Sequence, residues 1–79
     1  MNRNTVKQLV ENYTIDQLVE AEQALVTGKE LTFEVEGRDA SEKLTHLLAA
    51  AYVLERVKFD GVEFNNAFQQ YTLQVRESI

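Results

Sequence analysis

The sequence predicts a mainly α-helical, single-domain fold of four helices, with one short extended segment between the second and third helices. Apolar residues recur at spacings of three and four along most of the chain, which places them on one face of a helix. Only residues 31–36 alternate between apolar and polar side chains, the period of an extended strand. The length of 79 residues is enough for one small domain.

The first two helices follow each other closely. The first is predicted over about residues 4–12. Thr14 and Gln17 have the spacing of a capping box, in which each side chain bonds the free backbone amide of the other residue, so a second helix begins there. Gly28 is placed to end it. The apolar residues that share one face of the first helix are Val6, Leu9, Val10 and Tyr13. The stripe predicted to be buried in the second helix is Ile15, Leu18, Val19, Ala21, Leu25 and Val26.

The extended segment has one apolar and one polar side. Leu31, Phe33 and Val35 lie on the first, and Thr32, Glu34 and Glu36 on the second. Because a lone strand leaves its backbone donors and acceptors unpaired, two arrangements are open. The segment either lies as an arm over the helices, or pairs antiparallel with the same segment of a second chain across a two-fold axis.

The third helix is predicted to begin at an N-cap, Asp39 or Ser41, and to run to about Phe59. It is apolar around most of its circumference, which predicts that it is the central helix of the fold. Asp60–Gly61 ends it. The fourth helix then carries an apolar stripe that is predicted to reach Ile79.

Charge and composition exclude several partners. Thirteen acidic residues against eight Lys and Arg give a net charge of −5, which repels phosphate backbones and anionic lipids, so we expect neither nucleic acid nor membrane as a partner. The longest apolar run, Leu47–Leu54, is far shorter than the roughly 20 residues that span a bilayer. The first residues do not resemble a secretion signal, and the chain has no Cys, so we expect a cytoplasmic protein.

The groups that enzymes need are scarce, and we expect no catalytic activity and no cofactor. Ser41 and Ser78 lie outside any nucleophile elbow, and three glycines cannot form a phosphate-binding loop. His46 is the only imidazole, with Glu42 four residues before it on the same helical face. We expect His46 to pack or hydrogen-bond near a helix N-terminus. A small-ligand or metal site around Glu42 and His46 is the alternative, although a zinc site normally has three protein ligands.

So short a chain needs help to be stable. Ordering costs about 1.5 kcal/mol per residue, which nearly cancels apolar burial in a small domain, and disulfides are impossible without Cys. We therefore expect a homodimeric protein–protein interaction module, with a further protein as a second partner. The candidate interface residues are Leu31, Phe33 and Val35 in the extended segment, the amphipathic Tyr52 and Tyr71, and Leu73 on an amide-rich helix face.

Several stretches of the chain resemble a short uncharacterised bacterial family of about 80 residues. They are Leu9–Thr14, Leu44–Ala50, Tyr71–Thr72, Val75–Arg76 and Ser78–Ile79. The resemblance spans nearly the whole chain and implies a free-standing small protein. In the family pattern, Thr45–His46 and Arg76 recur beside core positions. The family has no assigned activity, substrate or catalytic residue, so the resemblance implies no mechanism.

Overall fold

Four α-helices form the part of the chain that the computed structural model describes, residues 1–77, with side chains described as far as residue 75. They are α1 (Arg3–Asn12), α2 (Ile15–Thr27), α3 (Ala40–Asp60) and α4 (Phe64–Glu77). Residues 1–77 contain no β-strand. The mainly α-helical fold class is thus confirmed, whereas the predicted helix end at Ile79 lies outside the described residues.

Local hydrogen bonds fix where the first two helices begin. The Asn2 side chain accepts from the backbone N–H of Asn4 and of Thr5 and so caps α1. The predicted capping box is present at α2: the Thr14 N–H donates to Gln17 Oε1 at 2.8 Å, and the Gln17 N–H donates to Thr14 Oγ1 at 3.1 Å. These caps satisfy backbone donors that have no partner inside the helix.

A side-chain cap also determines where the long helix α3 begins, and a glycine follows its end. Of the two candidate caps, Asp39 caps it, because its Oδ1 accepts from the Glu42 N–H at 2.8 Å. Gly61 follows α3 with φ of +67°, and Gly28 follows α2 with φ of +77°. Both glycines have the left-handed conformation that commonly ends a helix and that glycine adopts without strain.

Helix α3 is the central helix, since it packs against α1, α2 and α4. Ten apolar residues of the described chain are buried: Val6, Leu9, Leu18, Ala21, Val35, Leu47, Ala49, Ala50, Val53 and Ala67. Four of these ten are alanines, so the core contains few large side chains. The energy that this core gains from apolar burial is correspondingly modest, as expected for a short chain.

The segment between α2 and α3 lies over the helices of its own chain. It forms no strand, and the chain bends at Thr32 and Phe33. The predicted alternation is nevertheless present, with Val35 only 2% exposed and the Phe33 ring stacked on the Tyr13 ring at a centroid distance of 3.9 Å. Since residues 1–77 contain no strand that could pair with the segment, side-chain packing holds it in place.

Candidate functional site

His46 connects three parts of the chain through its two ring nitrogens. The backbone N–H of Asn2 donates to Nε2 at 3.0 Å, and Nδ1 lies 2.8 Å from the backbone oxygen of Glu36. A carbonyl oxygen only accepts, so Nδ1 carries the hydrogen, and Nε2 accepts, so it carries none. The partners therefore assign the neutral Nδ1–H tautomer. We call His46, Asn2, Glu36 and the adjoining Thr5 the His46 clasp.

Glu36 is held twice within this clasp. Its backbone oxygen accepts from His46 on α3, and its carboxylate Oε2 accepts from the Oγ1 hydroxyl of the buried Thr5 on α1 at 3.0 Å. The last residue of the extended segment is therefore bonded to two helices. The clasp fixes this segment against the first turn of α1 and the second turn of α3 and so acts as a structural connection.

Glu42 does not share a partner with His46. Its Oε1 accepts from the backbone N–H of Arg38 at 3.1 Å, and its Oε2 lies 3.3 Å from Arg38 Nε and 3.2 Å from Nη2. The backbone hydrogen bond is the main cause that lowers the pKa of Glu42, and the guanidinium charge adds to it against the opposing effect of burial. Glu42 thus fixes the turn that leads into α3.

The pair of Glu42 and His46 therefore differs from a ready ligand site. All four of their polar side-chain atoms have a partner within the chain. Within the described residues, no group of three or more His, Cys, Asp or Glu side chains is placed to hold a metal ion. A ligand at this position would have to replace the bonds of the clasp or those to Arg38.

The opposite side of α3 is apolar and exposed. At 100° per residue, six residues share a broad surface turned away from His46: Leu44, Leu48, Ala51, Tyr52, Glu55 and Phe59. We call this surface the outer face of α3. Leu48 is 44% exposed and Phe59 is 70% exposed, and the other three apolar members are half-buried. Exposed apolar residues in one contiguous surface are typical of an interaction site.

Tyr52 connects this face to α4. Its ring lies 5.3 Å from the Tyr71 ring, and the Arg56 guanidinium lies 5.3 Å from the Tyr52 centroid, within cation–π range. Burial raises the pKa of Tyr71, and the nearby charge of Glu22 raises it further, so this phenol is neutral at physiological pH. The two tyrosines among the predicted interface residues are thus brought together by α3 and α4.

A shallow hollow lies at the C-terminal end of the outer face. It has a volume of about 240 Å³ and is lined by Tyr52, Glu55, Arg56, Phe59 and Asp60. Arg56 is paired with Asp60, which fixes one wall of the hollow. The lining residues follow the i, i+3, i+4, i+7 spacing of a hole that receives one side chain of a facing helix.

The other predicted interface residues lie elsewhere. Leu31, Phe33 and Val35 pack against the core of their own chain, so they are occupied as long as the extended segment stays in place. Leu73 is 48% exposed on α4, among exposed Asn66, Gln69 and Gln70 as its spacing predicts.

Sequence reasoning missed two residues of the outer face, Leu48 and Phe59. Both belong to a helix that is apolar around most of its circumference, and such a helix is predicted to be buried around most of it. The helix is covered by three neighbours, and three helices leave one side open. The signal available in the sequence was the absence of a fifth amphipathic element to cover that side.

Comparison with known proteins gives a family for the chain. No curated protein and no solved structure matches it significantly. In residues 1–77, no helix has the length and apolar character needed to cross a membrane. A family match that covers residues 1–79 confirms the resemblance to a short uncharacterised family. The chain belongs to DUF6952, a family of unknown function.

Proposed function

We propose that this protein is a non-enzymatic protein–protein interaction module that works as a homodimer in the bacterial cytoplasm. The observation that supports this proposal most directly is the outer face of α3, where Leu48 and Phe59 are exposed on the central helix of the fold. Full burial of a large apolar side chain contributes about 1.5–3 kcal/mol. A two-fold dimer would bury Leu48 and Phe59 of both copies.

The small core supports the same proposal. Four of the ten buried apolar residues are alanines, and most of the large apolar side chains that pack against this core are only partly buried. An interface on the outer face would extend the core across α3 into a second chain. The added burial would come from side chains that the monomer leaves in water.

The charge of the chain supports a protein partner. A net charge of −5 opposes association with nucleic acid or with anionic membranes. The outer face itself carries one acidic residue, Glu55, and Arg56 borders it in a pair with Asp60. An apolar surface with a polar border is the usual composition of a protein interface.

The alternative function, a small-ligand or metal site around Glu42 and His46, has weaker support. Both ring nitrogens of His46 and both carboxylate oxygens of Glu42 already have partners in the chain. Binding there would have to compensate for the loss of those hydrogen bonds. The alternative predicts that a divalent metal raises the melting temperature of the wild type and not that of His46→Ala.

The proposal is tested by the solution mass, measured by light scattering over a hundredfold range of protein concentration. We expect a dimer for the wild type and a monomer for Phe59→Asp, because the new charge would be buried in the interface. Val26→Asp is the matched control, since Val26 on α2 is 72% exposed against 70% for Phe59. It should leave the dimer intact.

Other results would locate or remove the interface. A wild type that is monomeric throughout the range contradicts the homodimer. A dimer that persists in Phe59→Asp and dissociates in Leu73→Asp would instead place the interface on the amide-rich face of α4.

A further inference from the structure

The outer face of α3 carries both an exposed large apolar side chain and a hollow that could receive such a side chain from a second helix. Leu48 is 44% exposed near the middle of the helix, and the hollow formed by Tyr52, Glu55, Arg56 and Phe59 lies toward its C-terminal end. From Leu48 to the centre of the hollow is about 7.5 residues, or about 11 Å along the axis at 1.5 Å per residue. One face thus presents both parts of a knob-into-hole contact.

We infer that two copies of the chain pair through α3 in antiparallel orientation, with Leu48 of each copy seated in the hollow of the other. This inference rests on the proposed homodimer and specifies how it is built. A two-fold axis near residues 51 and 52 brings Leu48 opposite Glu55 of the second copy. It also makes the two contacts identical, as an isologous interface requires.

The remaining positions on this face fit the same arrangement. Residue pairs whose numbers add to 103 face each other, so Leu44 lies opposite Phe59 and Ala51 opposite Tyr52. Each large aromatic ring therefore meets a smaller side chain. Matching of large with small residues is what allows facing helices to interdigitate.

The size of the hollow agrees with this occupant. Its volume is about 240 Å³. Cavities of about 150 Å³ hold a benzene molecule, so a branched aliphatic side chain has room to enter. Its lining includes the rings of Tyr52 and Phe59 and the stem of Arg56, which offer Leu48 apolar contacts beside the charged groups at its edge.

The position of Glu55 favours the antiparallel over the parallel orientation. In a parallel, in-register pair the two Glu55 carboxylates would face each other, and like charges at such positions are unfavourable. In the antiparallel pair they are seven residues apart along the axis, about 10.5 Å, and each carboxylate can reach solvent beside a leucine. A second copy of this chain in antiparallel orientation is therefore the occupant that the surface fits best.

Disulfide cross-linking tests the orientation, since the chain has no Cys of its own. Leu48→Cys and Glu55→Cys are made separately, mixed in equal amounts and oxidised, and the products are weighed by mass spectrometry. The inference predicts mainly the mixed disulfide between position 48 of one chain and position 55 of the other. Neither variant should cross-link efficiently with itself, because a disulfide needs Cα atoms within about 7 Å.

Both replaced side chains are exposed on one chain, so the fold of each variant should be retained. The Glu55→Cys chain keeps its own Leu48, and the mixed dimer therefore keeps one of its two knobs. Gln69→Cys on the outer side of α4, mixed with Glu55→Cys, is the control and should give only background cross-linking.

The outcomes separate this inference from the proposed function. A wild type that is dimeric by light scattering but gives no excess of the mixed disulfide overturns the antiparallel pairing and leaves the homodimer. A dominant disulfide between two Glu55→Cys chains would place the two positions 55 opposite each other, as in a parallel pair or in an antiparallel pair centred on residue 55, and would overturn the inferred pairing equally. A monomeric wild type removes both.

Discussion

The two sides of α3 differ in which groups they bury: a polar side chain is buried on the inner side, and large apolar side chains are exposed on the outer side. On the inner side, His46 is 2% exposed, and each ring nitrogen is hydrogen-bonded to the backbone of another segment. On the outer side, Phe59 is 70% exposed and is a large apolar group in water. Whether a side chain is buried in this protein therefore depends on whether its hydrogen bonds are satisfied as much as on its residue type.

On the inner side of α3, the buried polar groups have their hydrogen-bond partners within the chain. In the described residues, no buried side-chain nitrogen or oxygen lacks a hydrogen-bond partner. On the outer side, the described parts of α1, α2 and α4 cover the face only in part and leave Leu48 and Phe59 exposed. This difference is why we assign structure to the His46 clasp and interaction to the outer face.

The largest expected effect is on the inner side, in His46→Ala. The substitution removes two hydrogen bonds, leaves the Asn2 N–H and the Glu36 oxygen without these partners, and opens a cavity, so we expect a loss of about 2–4 kcal/mol in the free energy of unfolding. Urea denaturation measures it. His46→Gln, which keeps one donor and one acceptor, should lose less. An unchanged midpoint in His46→Ala would contradict a structural role for the clasp.

An effect of intermediate size on the free energy of unfolding is expected when Phe33 and Phe59 are each replaced and compared. Phe33 stacks on Tyr13, so Phe33→Ala should lower the free energy of unfolding by about 2 kcal/mol at any protein concentration. Phe59→Ala should change it by less than about 0.5 kcal/mol in dilute solution, where the exposed ring contacts solvent, and should weaken the dimer. Thermal unfolding at low and high concentration separates the two. Equal losses in dilute solution would contradict the assignment of Phe59 to an interface.

The smallest expected effect concerns Glu42 and depends on pH. Its pKa in the folded chain lies below the ordinary value of 4.5, because the ionised form accepts the Arg38 N–H. A lowered pKa stabilises the fold fully above that ordinary value, and the stabilisation is lost as the pH falls through the folded value. The wild type should therefore be slightly more stable than Glu42→Gln at neutral pH.

Thermal melts of both chains from neutral to acid pH test this dependence. The difference should shrink below pH 4.5 and vanish once Glu42 is protonated in both states. A difference that stays constant over the whole range would mean that the charge of Glu42 is irrelevant, and that the substitution acts only through packing.

The order and type of the helices could be predicted because their signals are local. The Thr14 and Gln17 capping box and the glycine after α2 depend on residues within four positions of each other. The tautomer of His46 could not be predicted, because its partners Asn2 and Glu36 are 44 and 10 residues away in the sequence. The choice between an arm and an intermolecular strand was open for the same reason.

The outer face of α3 shows most clearly what could not be predicted from the sequence. The sequence showed that α3 is apolar around most of its circumference, but not how many neighbours it has. Helices α1, α2 and α4 each cover a part, and the position of the uncovered part depends on how all four pack together.

The sequence by itself determined the helical fold class, the capping box of α2, the alternation of residues 31–36 and the net charge of −5, because periodicity, capping and charge are properties of neighbouring residues. Only the tertiary structure decided that His46 joins α1 to the extended segment and that Leu48 and Phe59 remain exposed. Contacts between distant segments and the coverage of a helix arise only when the whole chain is packed.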